Sequence, residues 1–184
     1  MKLGIFDSGL GGLVIAKAVR AVMPDVDILY YGDTLHLPYG NRSDETIYQY
    51  TKAAMEWMFA RDCTLIVVAC NTASAAALRR MQQTWLPTLE FDTPRNIIGV
   101  VVPTLEEALD RGHHKLGLIA TNYLIGSNVY GDELSKINPK ISMHQAATPL
   151  LVSLLENKGE QWIPDVLKHY LCLLYTSPSP RDRG

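Results

Sequence analysis

Residues 64–78 read TLIVVACNTASAAAL, and the rhythm of the chain changes at Cys70. Thr64–Ala69 is an unbroken apolar run, the pattern of a parallel strand covered on both faces. From Ala73 the small and straight-chain residues ASAAALRRMQQTW have the composition of a helix. Asn71 or Thr72 is placed to cap it, since each carries a side-chain oxygen for the free amides of a first turn. A strand running directly into a helix is half of a βαβ unit. Cys70 falls at the junction, where the positive end of a helix favours a thiolate and can bring a cysteine below its free value of about 8.5.

The same plan recurs on either side. KLGIF (2–6) ends in Asp7-Ser8-Gly9, and Leu10, Leu13, Val14, Ala18 and Val22 then recur at helical spacing until Pro24. VDILYYG (26–32) is a second strand, followed by the loop TLHLPYGNR. Ser43 caps a helix whose first turn carries Asp44 and Glu45 and whose buried stripe is Ile47, Tyr50, Ala54 and Met58. After the stretch 87–95 the rhythm restarts with a strand at NIIGVVV (96–102) and a capping box at Thr104-x-x-Glu107. KLGLIA (115–120) and KISMHQA (140–146) are further strands, and Thr148-Pro149 opens the helix LLVSLLENKG. The expected fold is α/β, with a first parallel-sheet domain over 1–95 and a second, incomplete one over 96–171.

The 184 residues are 47% hydrophobic and 20% charged, with a net charge of −2. No basic block marks a nucleic-acid partner, and no apolar run reaches the roughly 18–20 residues of a membrane span. The opening MKLGIFDSGLGG goes straight into a strand pattern and lacks the apolar core of a signal peptide. Three cysteines without paired spacing form neither a disulfide framework nor a zinc site, so a reduced, cytoplasmic protein is expected. The run CLLYTSPSPRDRG (172–184) abruptly follows the amphipathic QWIPDVLKHYL and resembles the translation of a sequencing-library adapter. It is read as a non-native tail and set aside from the fold.

In parallel sheets the loops at the carboxyl ends of the strands share one edge, where ligands bind. That edge receives Asp7-Ser8, Asp33 with Tyr39-Gly40, and Cys70-Asn71-Thr72. The backbone of GLGG (9–12) offers an anion cradle at a helix start. It is neither a dinucleotide fingerprint, because Val14 stands where a third glycine belongs, nor a P-loop. In LPYGNR, Gly40 is free to take a positive φ, and the loop amides with the Tyr39 hydroxyl suit a carboxylate. Asp7 serves either as a helix cap or as a partner of the Cys70 proton. Cys63 reads as core, and His113-His114 as a solvated loop. Three readings stay open on the residues alone: acid–base enzyme, cysteine-nucleophile hydrolase, or non-catalytic small-anion-binding domain. The hydrolase needs a histidine near Cys70, for which His36 is the candidate on these strand ends.

GIFDSGLGG, YYGDTLHLPYG and VVACNTASA, in this order and on these strands, resemble the amino-terminal half of the glutamate racemase family, in the cofactor-independent aspartate/glutamate racemase superfamily. The resemblance runs from about residue 3 to about 158 and implies two flavodoxin-like domains with the active site between them. It implies that one cysteine thiolate removes the Cα proton of glutamate while a second thiol on the opposite face returns one. Cys70 matches the thiol that deprotonates the D-isomer, and Asp7 the residue that assists it. Ser8, Tyr39, Gly40, Asn71 and Thr72 match positions that hold the carboxylates and amino group. Neither pyridoxal phosphate nor a metal is needed, the product serves peptidoglycan synthesis, and a homodimer is compatible. IATNYLIGSNVY resembles a further family run, with Thr121, Ser127 and Tyr130 in place and Leu124 where a threonine is usual. The family's second cysteine lies in a Gly-Cys-Thr-His motif that does not occur in these 184 residues. The chain as it stands is therefore expected not to racemise. The nearest alternative is an aspartate or hydantoin racemase of the same superfamily.

Overall fold

A computed structural model describes residues 1–176. The chain divides into two compact units, Met1–Pro103 and Thr104–Gly184. In the first unit the strands β1 (Lys2–Asp7), β2 (Asp27–Gly32), β3 (Cys63–Val68) and β4 (Asn96–Gly99) form one parallel sheet in the order β2-β1-β3-β4. β3 thus has a partner on both sides, as its continuous apolar run requires. On one face, Leu3, Ile5 and Ala69 pack with Leu65, Val67 and the helix α1 (Leu13–Val22). The other face is covered by α2 (Asp44–Phe59), which buries Ile47, Tyr48, Thr51, Ala54, Met55, Met58 and Phe59. Ser43 caps α2 as expected, accepting the Thr46 N–H at 3.3 Å, with Asp44 and Glu45 in the first turn.

Several local expectations are corrected. α1 packs through Ile15, Ala16 and Val19, whereas Leu10, Leu13, Val14 and Val22 of the expected stripe are exposed. The helix is apolar on two faces, so spacing alone does not choose the one that meets the sheet. β4 pairs with β3, and the first compact unit spans Met1–Pro103. β4 stops at Gly99 and α4 (Val101–Asp110) begins three residues before Thr104. Thr104 is therefore inside the helix, where its side chain bonds Tyr130 instead of forming a capping box.

The helix after β3 opens as α3 (Asn71–Ala73) and runs through π-helical turns at Ser74–Leu78 and Met81–Trp85. Its cap is neither Asn71 nor Thr72 but Cys70, because the strand ends at Val68 and the thiol reaches the free Ala73 amide of the first turn.

The second unit carries a two-stranded parallel sheet, β5 (Lys115–Ala120) with β6 (Ser142–Ala147). Its helices are α5 (Asn122–Ser127), α6 (Val129–Ile137), α7 (Pro149–Glu156) and α8 (Ile163–Thr176). Pro149 opens α7 as expected, but the Thr148 hydroxyl donates to Ala120 O at 3.2 Å instead of capping the helix. α8 passes through Cys172 to Thr176, while residues 177–184 of the expected non-native tail lie outside the described residues. Among the described residues no helix is long and apolar enough to cross a membrane.

Candidate active site

The order β2-β1-β3-β4 makes the chain turn one way from β1 to β2 and the other way to β3 and β4. The switch falls between β1 and β3, where an open α/β sheet forms a crevice at its carboxyl edge. Asp7 ends β1 and Cys70 follows β3, so sequence position alone delivers both to that crevice. Backbone bonds beyond the strand ends fasten the loops together. Asp33 N–H donates to Asp7 O at 2.9 Å, and Ala69 N–H donates to Phe6 O at 2.8 Å.

Cys70 is 6% exposed. Its Sγ lies 3.2 Å from Ser8 Oγ and accepts the Ala73 N–H at 3.5 Å. Burial pushes the thiol up, and the Asp7 carboxylate adds to this; the Ser8 hydroxyl and the Ala73 and Ser8 amides act in the opposite direction. The lowering expected of a helix start is therefore outweighed, because a short helix end supplies a few amides whereas burial strips most of the thiolate's hydration. Asp7 is also buried, and its Oδ2 accepts the Gly9 N–H at 2.9 Å. Close approach here depends on Gly12, where a Cβ would stand 2.7 Å from Asp7 Cβ and 3.2 Å from Ala69 Cβ.

The LPYG loop is organised from below by Asp33. This carboxylate, 7% exposed, accepts the Tyr39 hydroxyl at 2.6 Å and meets His36 Nδ1 at 2.8 Å. The His36 ring stacks on Tyr50, centroids 3.9 Å apart. Tyr39 is 2% exposed. Burial, the bond to Asp33 and the Asp33 charge all hold its phenol far above its ordinary range, and the charge of Cys70 contributes in the same direction. Its hydroxyl is thus engaged by Asp33. Gly40 lies in a 3-10 turn, Tyr39–Asn41, closed by Arg42 N–H to Tyr39 O at 3.0 Å; the positive-φ glycine of the described chain is Gly112. Thr72 is buried beside Cys70 in the chain and Asn71 is exposed. Thr121 caps α5 in the second unit, accepting the Leu124 N–H at 3.3 Å, and Leu124 is buried there.

Asp33 was legible as a rim residue but not as the anchor of Tyr39. The available signal was an acid ending a strand, with His36 and Tyr39 three and six positions on. Asp33→Ala strands a buried phenol without its acceptor and is expected to cost about 2–3 kcal/mol in urea denaturation. Asp33→Asn keeps an acceptor oxygen and should cost less than half as much. Equal losses would contradict the anchoring role.

No family model matches the sequence. The chain is 42% identical to the glutamate racemase of Aquifex aeolicus over 93% of its own length and 65% of that protein's. It is 38% identical to that of Ruegeria sp. over 98% of its own length and 70% of that protein's. The solved glutamate racemase of Francisella tularensis, in complex with D-glutamate, superposes with a TM-score of 0.81 at 31% identity, over 95% of this chain and 64% of that one. The chain thus spans about two thirds or less of the length of several relatives it matches, among them 65% of the Aquifex protein and 58% of the Synechocystis protein. With two thirds or more of the Ruegeria enzyme matched at this identity, the chain belongs to the glutamate racemase family.

Proposed function

We propose that the protein, at the length of its relatives, interconverts L- and D-glutamate by proton transfer at Cα, with Cys70 as the group that takes the proton from the D-isomer. The observation that carries this is a buried cysteine at the switch point of the sheet, 3.2 Å from Ser8 Oγ and under the influence of Asp7. General acid–base work needs a group held at the reacting atom whose ionisation its surroundings control. The α-ammonium of a glutamate set against Asp7 offsets the charge that pushes the thiol up, so substrate binding itself favours the thiolate. Beyond the Gly9 N–H, which Asp7 holds, the remaining amides of the GLGG stretch and those of Tyr39-Gly40 are the groups offered to the carboxylates, with Ser8, Asn71, Thr72 and Thr121 as further substrate contacts. D-Glutamate in the Francisella relative supports this ligand class.

A nucleophilic hydrolase is disfavoured by the neighbours of the thiol. His36 is committed to Asp33 and Tyr50, and the described partners of Cys70 Sγ are Ser8 and Ala73. Inversion requires a second thiol on the other face of Cα. Cys63 cannot supply it, since it begins β3 while Cys70 follows that strand's end, about 20 Å away at ~3.3 Å per residue. The product is D-glutamate for peptidoglycan, and the expected compartment is the cytoplasm. Circular dichroism of D- and L-glutamate solutions tests the reading. The 184-residue chain should leave both isomers unchanged, and the protein carried on to the length of its relatives should equilibrate them. Turnover by the short chain, or none by the long one, contradicts the reading.

A further inference from the structure

Ser8 and Cys70 are 62 residues apart in sequence, yet the 3.2 Å between Ser8 Oγ and Cys70 Sγ brings them into direct contact across the switch point. Either atom can be the donor. A thiolate has no proton to give, so in the ionised state the hydroxyl must donate to sulfur; in the neutral state the thiol can donate to the hydroxyl oxygen. A hydroxyl is the side-chain group that can reverse in this way without moving its heavy atom. The backbone neighbours of the sulfur, the Ala73 N–H at 3.5 Å and the Ser8 N–H, can only donate.

We propose that Ser8 is a positioning residue for Cys70, whose hydroxyl holds the sulfur in one place through both protonation states and donates to the thiolate. This rests on the reading of Cys70 as the acid–base group and gives Ser8 a role besides that of a substrate contact. The other titratable groups facing the sulfur are Asp7 from the end of β1 and the Tyr39 phenol from the 3-10 turn, with Asp33 behind the phenol. Asp7 opposes ionisation of the thiol, and Tyr39 donates to Asp33 and not to the sulfur. Ser8 is therefore the side-chain donor that acts on the thiolate, and charge-assisted bonds of this kind are the strong ones.

The test is the pH dependence of Cys70 alkylation by iodoacetamide, read by peptide mass spectrometry on the 184-residue chain without glutamate. Exposed Cys172 serves as an internal reference for reagent and pH. Removing the donor in Ser8→Ala should shift the Cys70 midpoint upward by about one pH unit, slowing alkylation roughly tenfold at a fixed pH below the midpoint. If Ser8 only covers the sulfur, the same variant opens access and alkylation speeds up with no upward shift, which overturns the proposal. Ser8→Thr and Ser8→Val are nearly equal in shape and differ in the hydroxyl. The threonine variant should keep the midpoint near its original value and the valine variant should shift it, so the comparison still decides if the alanine variant fails to fold. Equal midpoints in the two also overturn the proposal. Since no glutamate is present, a null result here removes the Ser8 role alone, while failure of racemisation leaves the alkylation result standing.

Discussion

Gly32→Ala is expected to destabilise the protein by about 3 kcal/mol or more, at the upper end of what overpacking costs. A Cβ at this position would stand 2.5 Å from Gly9 O and 3.1 Å from Tyr30 Cε1. The first obstacle is backbone, which cannot swing aside as the end of a side chain can. Gly9 is also held from two sides, its carbonyl accepting the Tyr30 hydroxyl at 2.9 Å and its N–H donating to Asp7 Oδ2 at 2.9 Å. Moving Gly9 therefore weakens both bonds and releases Asp7, the register partner of Gly32 across β1 and β2. Thermal melts should show a loss of about 10 °C for a chain of this size. Gly126→Ala is the matched control, because a Cβ there meets nothing within 4 Å and the residue lies in α5. It should be neutral or slightly stabilising, as alanine is the better helix former. A Gly32→Ala melt equal to the control would mean the loops at the switch point are not closely fitted.

What the sequence made legible was local in origin. The unbroken apolar run of β3, the Ser43 cap of α2 and the first-turn Pro149 of α7 are each settled by neighbours a few residues away. The convergence of Asp7-Ser8 and Cys70 followed from topology, since every parallel strand of one sheet delivers its carboxyl end to one edge. What stayed hidden depended on contacts across the fold. α1 offers two apolar faces, and the sheet selects Ile15 and Val19 over Val14 and Val22. The Tyr39 hydroxyl turns inward because Asp33 from the end of β2 lies beneath it, a neighbour that loop composition does not reveal. Cys70 became a cap because sulfur reached an amide for which an oxygen is the usual acceptor. Its raised thiol was equally out of reach, as burial is a property of the assembled crevice and not of the helix start.

The consequence for chemistry is that Cys70 rests as a thiol and must be brought to ionise, and its loss should have the largest functional effect. A positioned acid–base group contributes about 100- to 10,000-fold to proton transfer. Replacement by alanine removes the group while leaving Asp7, Ser8 and the amides proposed to hold the carboxylates in place. The decisive measurement is proton NMR of D-glutamate in D2O with the protein carried to the length of its relatives, following loss of the Cα–H signal. The unaltered protein should exchange this hydrogen, and Cys70→Ala should slow exchange from the D-isomer by about 100-fold or more. Exchange that continues at the original rate in Cys70→Ala would contradict the assignment of Cys70 as the base.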